Sequence, residues 1–238
     1  MAVWPAFTGD DAEGSWVTSL ALIALHDSFR DIDARLRGFS WLMSSSGREA
    51  HWFWRRKFRT TDRHVRFDPD KPGWPWTPGA NSWVVPTAFA MLALRQPPCS
   101  CGFENVPVRV QLGIDMLLDR ACPNGGWNAG NGVVYGVPLA AHPDTTAITL
   151  LALVQSPHNA LVQTSLRWLG SIAGTLSVPW SLAWSILALA AYQFPVEDLT
   201  DRLAVMQELD QIEDNASLAV TLLAVDHTRT LCALGVTT

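Results

Sequence analysis

Charge is scarce in this chain. Of its 238 residues, 16% are Asp, Glu, Lys or Arg, with 17 basic and 22 acidic side chains and a net charge of −5. An average soluble domain is about 25% charged. With 48% hydrophobic residues, this composition excludes a disordered tail, a coiled coil and a general nucleic-acid binder. Cysteine is rare as well: four residues, none at Cys-x-x-Cys spacing, which argues against a zinc finger or a disulfide framework. Cys99 and Cys101 sit too close in sequence for a routine bridge. The expectation is a reduced, cytoplasmic protein with incidental thiols. Long apolar runs are missing too. Trp168 to Val196 carries no charge, but Pro179 and Pro195 leave only 15 unbroken residues, Trp180 to Phe194, fewer than the ~20 that span a bilayer. That stretch reads as a helix buried on nearly all sides. Met1 to Gly14 has no basic region followed by an apolar run, so no signal peptide is expected. Strand alternation, a nucleotide-binding glycine fingerprint, Gly-x-Ser-x-Gly and His-Glu-x-x-His are all absent.

What is present is tryptophan, twelve residues against two tyrosines, and a repeat. Five segments read small, large, small, large, large, Ala, large: Ser19–Leu25, Ala88–Leu94, Ala147–Leu153, Ala183–Leu189 and Ala219–Val225. The shared Ala falls at 24, 93, 152, 188 and 224, with gaps of 69, 59, 36 and 36. A 36-residue unit with insertions of 33 and 23 in the first two gaps accounts for this spacing. Each unit fits a pair of helices. One is the apolar segment; the other is amphipathic, at Asp31–Leu42, Val106–Arg120, Asn159–Leu169 and Pro195–Glu208. In the second of these, Val108, Leu112, Met116 and Leu117 form the apolar stripe, and Arg109, Asp115 and Asp119 lie off it. Pro86, Pro143 and Pro179 occupy first-turn positions, where a missing N–H costs nothing. Small residues in the apolar helices allow close packing. The periodicity predicts an all-α chain, 1–238 as one domain, in which apolar inner helices and amphipathic outer helices form a ring or solenoid.

The connections carry a second signature. Gly14-Ser15-Trp16 and Gly125-Gly126-Trp127 both read Gly-x-Trp, and Gly73-Trp74-Pro75-Trp76 is a looser version. Glycine permits the tight turn, and tryptophan packs over the end of a helix pair. With these turns, the repeats resemble the α/α-toroid of squalene–hopene and oxidosqualene cyclases and of protein prenyltransferase β subunits. The resemblance runs over about Gly14 to Val225, as repeats rather than one alignment. It implies an α/α toroid or open arc with five visible inner helices, and a degenerate sixth in the insertion at 48–66. That superfamily's Gln is missing from the turns at Trp16 and Trp127. Its members include cyclases, transferases and binding domains.

Eight positions before each repeat Ala stand Trp16, Val85, Asp144, Trp180 and Ala216, one acid among apolar residues. The segment His142-Pro143-Asp144-Thr145-Thr146-Ala147 resembles the Asp-x-Asp-Asp-Thr-Ala motif of class II terpene cyclases. The resemblance places the catalytic acid at Asp144, with His142 and Thr145 in place of the flanking acids. Protonating an alkene takes a strong, protonated carboxylic acid, and His142 offers a hydrogen bond without replacing a carboxylate. The alternative for Asp144 is a first-turn acid favoured by the helix dipole. Trp16, Trp83, Trp127, Trp180 and Trp184 lie in or beside the apolar segments. They are candidates to line a cavity whose ring faces stabilise cations along an isoprenoid chain, the alternative being core packing.

Arg48 to Arg66 carries seven basic and two acidic side chains, a local charge of +5, where the remainder has ten and twenty. Trp52, Phe53, Trp54 and Phe58 are interleaved. Such a segment suits an anionic membrane surface or a diphosphate, the alternative being a solvated basic loop. Nucleic acid is disfavoured by the acidic remainder. Prenyltransferase β subunits place Asp and Cys two apart at the start of an inner helix. The matching positions are Asp144 and Thr146, and threonine is a poor zinc ligand, so neither metal nor another cofactor is expected. Asp10 and Asp11 read as a solvated turn. The resemblance implies a terpene-cyclase-like protein with a hydrophobic isoprenoid ligand, in the cytoplasm or peripheral to a membrane. The alternatives are a non-catalytic toroid that engages a partner subunit or a second copy, and an α/α-barrel carbohydrate enzyme. The last needs two carboxylates in one cavity, and the repeats supply one.

Overall fold

The computed structural model describes residues 15–26, 28, 31–60, 66–96, 104–208, 212 and 214–236. Asp10, Asp11, Gly14, Arg63, Cys99 and Cys101, singled out above, lie outside them. The described chain is all-α but for one short hairpin. Its helices are α1 (Val17–Ala24), α2 (Ile32–Ser44), α3 (Trp52–Thr60), α4 (Val84–Leu94), α5 (Val106–Asp119), α6 (Pro143–Ala152), α7 (Ala160–Ala173), α8 (Pro179–Ala191), α9 (Glu197–Glu208), α10 (Asn215–Val225) and α11 (His227–Ala233).

The five apolar segments are α1, α4, α6, α8 and α10, and each packs on the next in that order. The amphipathic helices flank them: α2 lies on α1 and α4, α5 on α4, α7 on α6 and α8, α9 on α8 and α10. The polarity contrast explains the placement. Every residue from Ala88 to Leu94, from Thr145 to Ala152 and from Leu182 to Ala191 is buried, so these helices have no solvent face to give to charge. The repeat Ala is buried in α4, α6, α8 and α10, which lets the neighbouring backbones approach. At the ends of the series α1 and α10 are only partly covered.

Local chemistry fixes the helix ends. Pro143 and Pro179 take the first position of α6 and α8. Asn159 caps α7, its side-chain oxygen accepting from the Leu161 and Val162 N–H groups at 2.9 and 3.4 Å, and Asp214 caps α10 by accepting from Ser217 N–H at 2.8 Å. At the far ends, Arg95 closes α6 from a neighbouring helix, donating to Leu151 O at 2.8 Å and to Ala152 O. Burial brings the Arg95 pKa down to about 10, opposed by Tyr192. The Tyr192 hydroxyl donates to Leu150 O at 3.0 Å. The Arg95 bonds serve the Leu151 and Ala152 carbonyls at the end of the α6 ladder, and Tyr192 adds a second donor to Leu150 O, which already accepts from the Leu153 N–H at 3.0 Å.

The Gly-Trp turns are staples, and two of them match bond for bond. In the first, the Gly73 N–H donates to Ser82 Oγ at 2.8 Å, the Trp74 N–H to Thr87 Oγ1 at 2.9 Å and the Trp74 indole N–H to Leu42 O at 2.8 Å. In the second, Gly126 donates to Ser165 Oγ at 2.7 Å, Trp127 to Thr146 Oγ1 at 2.9 Å and its indole to Leu117 O at 2.6 Å. Each turn thereby ties the end of a flanking helix to the start of a central one. A Cβ on Gly73 would sit 2.2 Å from Thr87 Oγ1 and one on Gly126 2.8 Å from Thr146 Oγ1, so both positions demand glycine. Gly73-Trp74 is thus the full structural partner of Gly126-Trp127 and not a loose variant. The Arg109 guanidinium locks the first staple from behind, 3.3 Å above the Trp74 ring, donating to Gly73 O at 2.8 Å and Ser45 O at 3.0 Å.

Two sequence expectations are corrected. The 48–66 insertion does form a helix, α3, but that helix buries no residue. It is not a sixth member of the apolar series, because its charge keeps it at the surface. Strands also exist: β1 (Val133–Val134) pairs antiparallel with β2 (Val137–Pro138). Their turn puts Tyr135 at φ 51° and Gly136 at φ 76°, the two left-handed positions of a tight hairpin. The run is too short to show alternation.

Candidate functional site

The start of α6 carries Asp144 on a half-buried second residue. Its hydrogen bond comes from the neighbouring central helix: the Trp180 indole N–H donates to Asp144 Oδ2 at 3.3 Å. Asp144 and Trp180 hold the same place in consecutive repeats, so the series itself brings them together. Trp180 begins a chain of rings. It lies 5.8 Å from Trp184, which lies 5.7 Å from Phe89; Phe89 lies 5.9 Å from Trp16, and Trp16 5.0 Å from Trp76. Most of these pairs meet edge to face, the arrangement the ring quadrupoles favour.

Beside this chain is a cavity of about 560 Å³, open to solvent on one side and bordered by α1, α4, α8, α10 and α11. Leu20, Ile23, Phe89, Trp184, Leu187 and Leu222 form its apolar wall, and His26, Asp226 and Arg229 its polar rim. The volume is in the range of small-molecule sites. Trp184 is 6% exposed, and its indole N–H is buried with no hydrogen-bond partner. Asp144 is outside the cavity lining. It lies on the same side of its helix as the lining residues, because positions eight, four and one before the repeat Ala share one helical face. Leu20, Phe89 and Trp184 hold the second of these positions, and Ile23 and Leu187 the third.

The structure therefore brings together Asp144, Trp180, Trp184 and Trp16, and it leaves the other candidates apart. His142 is the exposed residue before α6, and its backbone N–H donates to Trp127 O at 2.8 Å. Thr145 is buried in the first turn of α6. Trp127 is a staple in the core, and Trp83 borders a separate pocket with Arg120. Sequence reasoning missed Phe89 and the aliphatic lining. Their signal is the fourth position before each repeat Ala, which holds Leu20, Phe89, Ile148, Trp184 and Val220. Among the described residues no cluster of three or more His, Cys, Asp or Glu is placed to hold a metal ion, and no helix is long and apolar enough to cross a membrane. No protein-family model matches the chain, and no curated protein matches it.

Proposed function

We propose that the helix series is an open arc of the α/α-toroid kind, and that it is a terpene-cyclase-like protein holding a hydrophobic isoprenoid in the cavity, with Asp144 as the acid. The observation that supports this reading is the continuity of one helical face, from the Asp144 carboxyl through Trp180 and Trp184 to an apolar, aromatic-walled cavity. The Trp180 N–H orients the carboxyl through Oδ2. In the proposed reaction the carboxyl O–H bond breaks as the alkene π pair forms a C–H bond, leaving a carbocation and the carboxylate, and Trp184 in the cavity wall, with Trp180 5.8 Å from it, supplies aromatic stabilisation of the cation. Farnesol is expected to quench tryptophan fluorescence by binding, and Ala24→Trp, which fills the cavity from α1, to abolish the effect. Asp144→Asn is expected to remove turnover of squalene or a prenyl diphosphate while binding and melting temperature hold. Absence of farnesol, squalene and farnesyl diphosphate binding to the wild-type protein refutes the reading.

A partner-binding module is the second reading, and one observation favours it: α10 at the end of the series exposes Leu218, Leu222, Leu223 and Val225. A concentration-dependent change of mass that Leu218→Glu removes supports it. The basic helix α3 completes the proposal as a peripheral membrane contact, because Trp52 and Phe53 are 69% and 51% exposed beside Arg56 and Lys57.

A further inference from the structure

Away from the cavity, a pocket of about 190 Å³ opens among Phe58, Phe67, Asn81, Trp83, Arg120 and Asn131. Arg120 follows the last residue of α5 and is 3% exposed. Its guanidinium lies 4.2 Å over the Phe67 ring, and Nη1 donates to Asn131 Oδ1. The rest of the group is unserved. Nη2 is buried without a partner, and Nε, 3.7 Å from Asp119 Oδ2, makes no hydrogen bond. Asn81 Oδ1 is buried without a partner as well. Buried donors and acceptors are almost always paired in folded chains, and a guanidinium, which presents a planar fork of donors, is matched by a planar acceptor. Burial lowers the Arg120 pKa, with Glu49, Asp119 and Asp68 opposing. Asp119 pairs with the Nε side of the group at 3.7 Å, and none of the three carboxylates takes the Nη2 hydrogens.

We propose that this pocket binds a small planar carboxylic acid, a single-ring aromatic acid, with its carboxylate on Arg120 and its ring between Trp83 and Phe58. The size of the pocket, below that of a drug-sized ligand site, sets the limit of one ring. The nearby acids set the charge: one negative charge is welcome beside Arg120, whereas a phosphate dianion adds repulsion from Glu49, Asp68 and Asp119. The aromatic walls supply the ring contact. A hydroxyl across the ring from the carboxylate is the donor that Asn81 Oδ1 lacks.

The probe is 4-hydroxybenzoate, titrated calorimetrically into the folded 238-residue chain. It is expected to bind, to do so with farnesol already present, and to bind more tightly than 4-hydroxybenzamide or inorganic phosphate. Arg120→Gln is expected to weaken binding about tenfold or more, as truncation at a buried charged contact does. Because Arg120 is buried, Asn81→Leu is the parallel variant: it keeps Arg120 and removes the acceptor for the ligand hydroxyl, with weakened binding and an unchanged circular dichroism spectrum expected. The proposal is overturned if 4-hydroxybenzoate does not bind, if the amide or phosphate binds as well, or if Asn81→Leu retains full affinity. Displacement by farnesol overturns it too, because it places the acid in the other cavity.

Discussion

Replacing Thr146 with valine tests the staple at the start of α6. The two side chains have nearly the same shape, so the core stays filled. What is lost is the acceptor for the Trp127 N–H at 2.9 Å and the weaker bond from the hydroxyl to Trp127 O at 3.2 Å. Trp127 is fully buried, so water cannot replace the lost partner. A buried backbone donor left alone costs about 1–3 kcal/mol. Taking ~2 kcal/mol, and about 2–4 °C per kcal/mol for a chain of this size, the melting temperature falls by about 4–8 °C. The assay is thermal unfolding by circular dichroism with a parallel urea titration, in which the midpoint moves and the slope does not. Thr87→Val removes the matching bond to Trp74 and is expected to cost the same. The two staples share no hydrogen-bond partner, so the double variant loses the sum to within about 0.5 kcal/mol. A Thr146→Val protein as stable as the wild type refutes the claim that these bonds hold the turn.

Two further outcomes follow from the surface and the core. Neutralising Arg55, Arg56 and Lys57 together is expected to reduce sedimentation with anionic vesicles, and raised salt to do the same; unchanged sedimentation leaves α3 a solvated helix, with Arg55 paired to Asp70 at 3.4 Å and donating to Ala50 O at 2.9 Å. Burial holds the Tyr192 hydroxyl above its ordinary pKa of 10.0, partly opposed by Arg95. The folded chain therefore binds the Tyr192 proton more tightly than the unfolded one. The stability it contributes is whole below pH 10 and declines as pH rises above that value. The gap in urea midpoint between wild type and Tyr192→Phe is expected to shrink above pH 10, and a constant gap refutes it.

The repeat made the helix series legible because α4, α6 and α8 bury nearly all their sides, and small and large apolar residues in a fixed order do this. Leu151 and Leu187, fully buried at matching places, carry that logic. The same spacing put Asp144 beside Trp180. The staples were half legible: the glycine and tryptophan stood out, whereas the threonine six positions before the repeat Ala, at Thr18, Thr87 and Thr146, did not. Leu182 and Leu218 take its place in α8 and α10, where no Gly-Trp turn precedes the helix. The Arg120 pocket left no trace in the periodicity. Its walls come from insertions and connecting segments at 58, 67, 81–83, 120 and 130–131, and only the folded chain brings them together. Asp144 as cap or acid was open in the sequence because both roles place a carboxyl in the first turn. Trp180 gives that carboxyl a partner on the neighbouring helix, a contact compatible with either role, and the Asp144→Asn comparison separates them.

The uneven distribution of staples gives the molecule a stiff side and a soft side. The starts of α4 and α6 are riveted to α2 and α5 through Trp74 and Trp127. In α8 and α10 leucine replaces the threonine, so neither start carries such a staple; α8 keeps the single bond from Trp180 to Asp144, and α10 is half in solvent. The cavity lies on this softer side, between α8, α10, α11 and α1. On the proposed reading, a bulky guest would enter by the yielding of α10 and α11, while the stapled starts of α4 and α6 stay in place.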